Sequence, residues 1–155
     1  MTRLIYGLEK YLAKEFVETR PVIINKITEG KKVTESIVGL FPIIRKGNDK
    51  RLAIDSPNDA RNYLRNPKTG GYTRKACEAL LKLKTNNINK IFNKEDVKRV
   101  QSCMTLFALT TKCELFNKVL DRYFFGKYDG YTIRALKAMK KEEDKIRSIR
   151  PLWQY

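Results

Sequence analysis

Asn93-Lys94-Glu95-Asp96-Val97-Lys98-Arg99-Val100-Gln101-Ser102-Cys103-Met104-Thr105-Leu106-Phe107 is the stretch that decides the fold. Val97, Val100, Cys103, Met104 and Phe107 recur at spacings of three and four, the period of one helix face, and Asn93 stands before them as a cap. Towards the C-terminus Leu115, Phe116, Val119, Leu120 and Tyr123 repeat that period before Gly126. From Tyr131, the residues Ile133, Leu136, Met139, Ile146 and Ile149 outline a last long helix, interrupted by the polar Lys140 to Lys145 and ended by Pro151. Towards the N-terminus Cys77, Leu80, Leu81 and Leu83 mark a helix from about Tyr72 to Lys84. Ser56-Pro57-Asn58-Asp59 starts another that runs to about Asn66: the Ser56 hydroxyl accepts a backbone N–H, Pro57 fits the first helical position, and Asp59 suits the positive helix end.

Further out the pattern is less regular. Leu4, Leu8, Tyr11, Leu12 and Phe16 share one helix face ending near Thr19, and Pro21 opens a second helix that stops at Gly30. Ile37 to Ile44 is an apolar run broken by Gly39 and Pro42, which predicts a buried helix with a bend. Arg45 to Asp49 and Asn86 to Asn89 are loops. No alternating strand pattern and no internal repeat appears. The expectation is one all-α domain over residues 1–155, a compact bundle of about seven helices.

With 42% hydrophobic residues, 8 Tyr and 7 Phe, the chain has the apolar surface that a disordered chain lacks. Its 33 Lys and Arg against 17 Asp and Glu give a net charge of +16, beyond what solubility requires. The count of histidine is 0, which removes the serine-histidine-acid triad, the cysteine-histidine dyad and histidine metal sites. Cys77, Cys103 and Cys113 form no Cys-x-x-Cys pair and read as reduced structural thiols of a cytoplasmic compartment. No window approaches the ~20 apolar residues of a membrane span, and Met1 to Lys14 lacks the apolar stretch of a signal peptide. The abundance of Lys, Asn and Ile fits an AT-rich genome, viral or protist, without deciding the host.

Several segments, in order, carry a resemblance. They are Phe16-Val17-Glu18 with Gly30-Lys31-Lys32, Phe41-Pro42, Ala53-Ile54, Ala60-Arg61-Asn62-Tyr63-Leu64, and Ile91-Phe92. Ser102-Cys103-Met104-Thr105-Leu106-Phe107-Ala108 and Val119-Leu120-Asp121-Arg122-Tyr123-Phe124 complete the set. The chain resembles a bacterial family of domains of unknown function often mislabelled calpastatin, whose fold is all-helical. The likeness covers residue 16 to about residue 137, so that residues 1–15, a helix, and the basic tail 138–155 read as additions. Where this family carries a histidine-tryptophan-methionine-tryptophan-phenylalanine run, the chain has Glu35, Ser36, Ile37, Val38 and Gly39. The resemblance implies that chemistry resting on that histidine is not available here, Glu35 being the one residue there able to act as acid or base. It also places Asp96, Arg99, Ser102 and Asp121 in a shared polar pocket, with Arg122 beside them.

The densest charge lies between Arg61 and Lys90, eight bases against the single acid Glu78. Arg61, Arg65, Lys68, Arg74, Lys75, Lys82 and Lys84 are the candidate anion-binding residues, with Tyr63 and Tyr72 among them as stacking surfaces. A solvated lysine-rich face is the plainer alternative. Lys68-Thr69-Gly70-Gly71-Tyr72 reads as an interhelix turn rather than a phosphate cradle, since the P-loop spacing is absent. Asp121 and Arg122 read either as an anion-binding pair or as an ion pair fastening a helix. No cofactor, no metal site and no catalytic residue is expected. The preferred function is a non-enzymatic module binding nucleic acid or another polyanion without sequence specificity. One rival is an enzyme or binder for a small nucleotide-like anion, with Arg61, Arg99 and Arg122 as clamps. Another is a structural subunit of a ribonucleoprotein or viral particle, docking through the tail that ends in Leu152 to Tyr155.

Overall fold

The computed structural model describes residues 9–46 and 53–153, with side chains through residue 148. Among them are six α-helices: α1 (Lys14–Thr28), α2 (Pro57–Arg65), α3 (Gly70–Lys82), α4 (Lys94–Thr110), α5 (Leu115–Phe124) and α6 (Gly130–Trp153). Two 3-10 turns, Glu9–Leu12 and Ile88–Lys90, and a two-residue parallel ladder complete them. In the ladder β1 (Ile43–Ile44) pairs with β2 (Ala53–Ile54). The fold is all-α. Leu4, Leu8, the loop residues after Lys46 and the last two tail residues lie outside the described residues.

The caps read from the sequence are formed. The Asp59 amide donates to Ser56 Oγ at 3.1 Å, and the Asp96 amide to Asn93 Oδ1 at 2.8 Å. Each satisfies one of the amide groups a helix start leaves unpaired, worth ~1 kcal/mol. Helix α4 is the centre of the bundle: Val100 and every residue from Ser102 to Phe107 are buried. Around it α2, α5, the ladder and the first half of α6 pack their apolar faces. An aromatic chain runs through this core, with Tyr11 edge-on to Tyr63 at 5.1 Å, Tyr63 stacked on Phe107 at 5.7 Å, and Phe107 against Phe116 at 5.1 Å.

Four expectations are corrected. Pro21 does not open a helix; it lies inside α1. Its missing N–H frees only the Val17 carbonyl, and since Val17 and Pro21 are both exposed, water can take that acceptor. Ile37 to Ile44 is not a bent helix. After a single turn, in which the Leu40 and Phe41 amides donate to the Ile37 carbonyl, the chain runs straight into β1. The carbonyls of this turn are taken by buried and half-buried side chains instead of a helical ladder: Val38 and Phe41 by Arg99, Gly39 by Arg20 and Tyr63, Leu40 by Thr73. Lys140 to Lys145 do not interrupt the last helix, because their mixed charges, with Lys140 and Asp144 one turn apart, suit a solvent-exposed helical face. The backbone stays helical past Pro151 to Trp153.

Candidate functional site

Helix α2 carries Arg61 and Arg65 one turn apart, on the same side. Its C-terminus meets the start of α3 through a tight turn, Asn66 to Thr69. The Thr69 and Gly71 amides both donate to the Asn66 carbonyl, the Lys68 amide donates to Asn66 Oδ1, and Thr69 Oγ1 donates to the Tyr63 carbonyl at 2.6 Å. Lys68 and Thr69 close the interhelix turn and Gly70 to Tyr72 begin α3, and with the Lys68, Thr69, Gly71 and Tyr72 amides all donating internally the segment offers no row of free amides to cradle a phosphate. Gly70 makes the turn possible: a Cβ there would lie 2.3 Å from the Leu64 backbone. The close approach brings Arg74, one turn into α3, alongside Arg61 and Arg65.

The fourth cation comes from far along the chain. Helix α4 ends at Thr110, and the loop that follows places Lys112 and Cys113 beside the same residues. Arg61 ties the two parts together, Nη1 donating to the Thr110 carbonyl at 3.2 Å, one of the acceptors a helix end leaves open. The result is a cleft of about 490 Å³. Arg61, Arg65, Arg74 and Lys112 provide its charge, Leu64 and Cys113 its apolar wall, and Thr110 and Thr111 the remainder. No carboxylate lines it. Among the described residues Arg65, Arg74 and Lys112 have no hydrogen-bond or ion-pair partner, so their donors face solvent. Four like charges with no counter-charge repel one another, and an entering anion would relieve that repulsion.

The other expected binding residues lie elsewhere. Lys68 and Lys84 are exposed outside the cleft. Lys75 and Lys82 flank Glu78 in a smaller cleft of about 230 Å³ between α1 and α3, where the acid reduces their field. Lys75 also covers the Tyr72 ring at 5.3 Å. Tyr63 is not a stacking surface for bases: it is fully buried, with its hydroxyl 3.1 Å from Thr73 Oγ1. Its apolar ring is worth more in the core than in water.

The residues assigned to a shared polar pocket do not gather in this cleft. Glu35 pairs with Lys26 at 2.8 Å, which holds its carboxyl below the usual range. Asp96, Arg99 and Ser102 follow one another along one side of α4. Burial raises the Asp96 carboxyl, with the neighbouring Arg99 partly opposing. Arg99 donates from Nε to the Phe41 carbonyl at 2.9 Å and from Nη2 to the Val38 carbonyl at 3.4 Å. Asp121 is exposed. Arg122 lies under the end of α3, donating to the carbonyls of Leu80, Leu81, Leu83 and Thr85 and to Asn86 Oδ1. A guanidinium at a helix C-terminus satisfies open carbonyls and favours the negative end of the dipole.

Sequence reasoning missed Lys112 and Cys113, and it did not single out Arg20. The Arg20 side chain is 1% exposed, and its guanidinium joins three carbonyls: Gly39 through Nε at 3.0 Å, Lys68 through Nη1 at 3.2 Å, and Tyr11 through Nη2. No run of charge marks any of these positions, because the fold alone brings them together.

Among the described residues, five helices around one buried central helix make an all-α fold whose distinctive surface feature is a cationic cleft where α2, α3 and the end of α4 meet. The chain belongs to the family described as "Protein of unknown function (DUF1810)", whose model matches residues 6–136. It is similar in fold to the conserved hypothetical protein Rv1873 from Mycobacterium tuberculosis, solved by crystallography, with a TM-score of 0.73 and 24% identity. That likeness covers 88% of this chain and 95% of the other. No curated protein matches the chain.

Proposed function

We propose that this protein is a non-enzymatic helical module that binds the phosphate groups of a nucleic acid or a similar polyanion without reading its sequence. The observation that carries this reading is the convergence of Arg61, Arg65, Arg74 and Lys112 on one cleft free of carboxylates. The net charge of +16 adds a long-range attraction for any polyanion. Lys68, Lys75, Lys82 and Lys84, exposed outside the cleft, extend the basic surface along which a phosphate backbone can lie. The rival reading, an enzyme using Arg61, Arg99 and Arg122 as clamps, is disfavoured because Arg99 and Arg122 direct their guanidinium groups at backbone carbonyls.

The test is direct. Purified protein should show a raised 260/280 nm absorbance ratio that a high-salt wash lowers, and the washed protein should bind a labelled single-stranded oligonucleotide of random sequence in a fluorescence-anisotropy titration at low salt. Absence of binding there would overturn the reading.

A further inference from the structure

A phosphodiester in a strand carries one negative charge and two free oxygens, whereas a phosphomonoester carries about −1.5 to −2 and three strong acceptor oxygens. The cleft is built for the second. Three guanidinium groups, each a planar fork suited to bidentate contact with phosphate oxygens, stand with one ammonium in a single cavity of about 490 Å³. One diester would leave most of that charge uncompensated. Of these four, only Arg61 has a protein acceptor among the described residues, the Thr110 carbonyl. The Leu64 and Cys113 wall beside the charges is an apolar surface against which a ribose or base edge can rest. In a continuous duplex the bases are stacked and paired and cannot reach such a wall, but the last nucleotide of a strand can.

We propose that this cleft receives the terminal phosphomonoester of a nucleic-acid strand, so that the protein binds phosphorylated ends in preference to strand interiors. The inference rests on the polyanion reading and narrows it. Arg65 and Arg74 are the anchoring residues, since they are free of other partners among the described residues, and Lys112 supplies the added point charge.

The experiment compares one short single-stranded oligonucleotide in forms with a 5′-phosphate, with a 3′-phosphate, and with hydroxyl groups at both ends, using anisotropy at fixed salt. Free nucleoside monophosphate and inorganic phosphate serve as competitors. At least one phosphorylated form should bind on the order of tenfold more tightly than the hydroxyl form, the ~1.4 kcal/mol of an added charge-assisted contact. Arg65→Gln and Arg74→Gln should bring that ratio close to one. Lys75→Gln with Lys82→Gln should weaken all forms alike and leave the ratio intact. Nucleoside monophosphate should compete better than inorganic phosphate, because it also covers the apolar wall. Because Arg65 and Arg74 have no hydrogen-bond or ion-pair partner among the described residues, their variants should keep the wild-type circular dichroism and melting temperature. Equal affinity for all three forms would overturn end recognition while leaving polyanion binding standing; no binding of any form would overturn both. A preference for phosphorylated ends that survives in both arginine variants would also refute this cleft as the site.

Discussion

Replacing Arg20 by methionine tests the account of what holds the turn at Val38 to Leu40. The wild-type guanidinium is buried, desolvation lowers its pKa, and among the described residues it has no carboxylate partner. Burying an ion costs several kcal/mol, so removing it relieves a penalty. Against that stand three hydrogen bonds from a charged donor, each worth about 1.5–3 kcal/mol. They do not weigh equally once the side chain is gone. The Gly39 carbonyl keeps the Tyr63 hydroxyl, at 3.3 Å, and the Lys68 carbonyl belongs to an exposed residue that water can reach. The Tyr11 carbonyl is left unpaired, and the Tyr11 hydroxyl already has no partner. The expected net loss is about 2–4 kcal/mol, a substantial part of the ~5–15 kcal/mol of a whole domain. Urea unfolding followed by circular dichroism should show an earlier midpoint with an unchanged slope. Arg20→Lys should be nearly as damaging, since one ammonium group cannot span three separated acceptors. A methionine variant as stable as the wild type would refute this reasoning, showing that the buried cation costs as much as its bonds return.

Three other outcomes follow from the same geometry. Gly70→Ala should destabilise the domain by at least ~1–3 kcal/mol in urea unfolding, because the added methyl would meet the Leu64 backbone at 2.3 Å. Titration of the native protein with a thiol reagent should show one reactive cysteine, Cys113, slowed by bound oligonucleotide, whereas burial raises the thiols of Cys77 and Cys103 and keeps them silent until unfolding. Glu35→Gln should cost at most ~1 kcal/mol at neutral pH. Because the folded-state pKa of Glu35 is depressed by Lys26, that contribution is present above the ordinary carboxylate pKa and disappears as pH falls through the folded value. Wild type and variant should therefore converge in acid-titrated unfolding curves.

Local chemistry made most of the helices readable. Ser56 and Asn93 announce their helices because each cap needs only a hydroxyl or amide near its own backbone. Pro21 misleads because the cost of a proline inside a helix depends on whether solvent reaches the freed carbonyl, a tertiary property. The Ile37 to Ile44 run misleads for a related reason: Arg20, Arg99, Tyr63 and Thr73, distant in sequence, take the carbonyls a helix would use. For the site, Arg61, Arg65 and Arg74 stand out within one dense basic segment. Lys112 does not, since it arrives from a loop about forty residues further on. Nor does sequence separate an arginine turned to backbone carbonyls, as Arg99 and Arg122 are, from one facing solvent, because the residue type is the same and only packing distinguishes them.

The central claim is that the cationic cleft binds phosphate groups, and the salt dependence of oligonucleotide affinity tests it most directly. Each phosphate contact on a single strand contributes about 0.7 to the slope of log affinity against log salt. If the cleft holds one terminal phosphate and the exposed Lys68, Lys75, Lys82 and Lys84 each neutralise one strand phosphate, the slope for a phosphorylated strand should be about −3 or steeper, and the Arg65→Gln, Arg74→Gln double variant should be shallower. A flat wild-type response, or a double variant with the wild-type slope and affinity, would contradict the account.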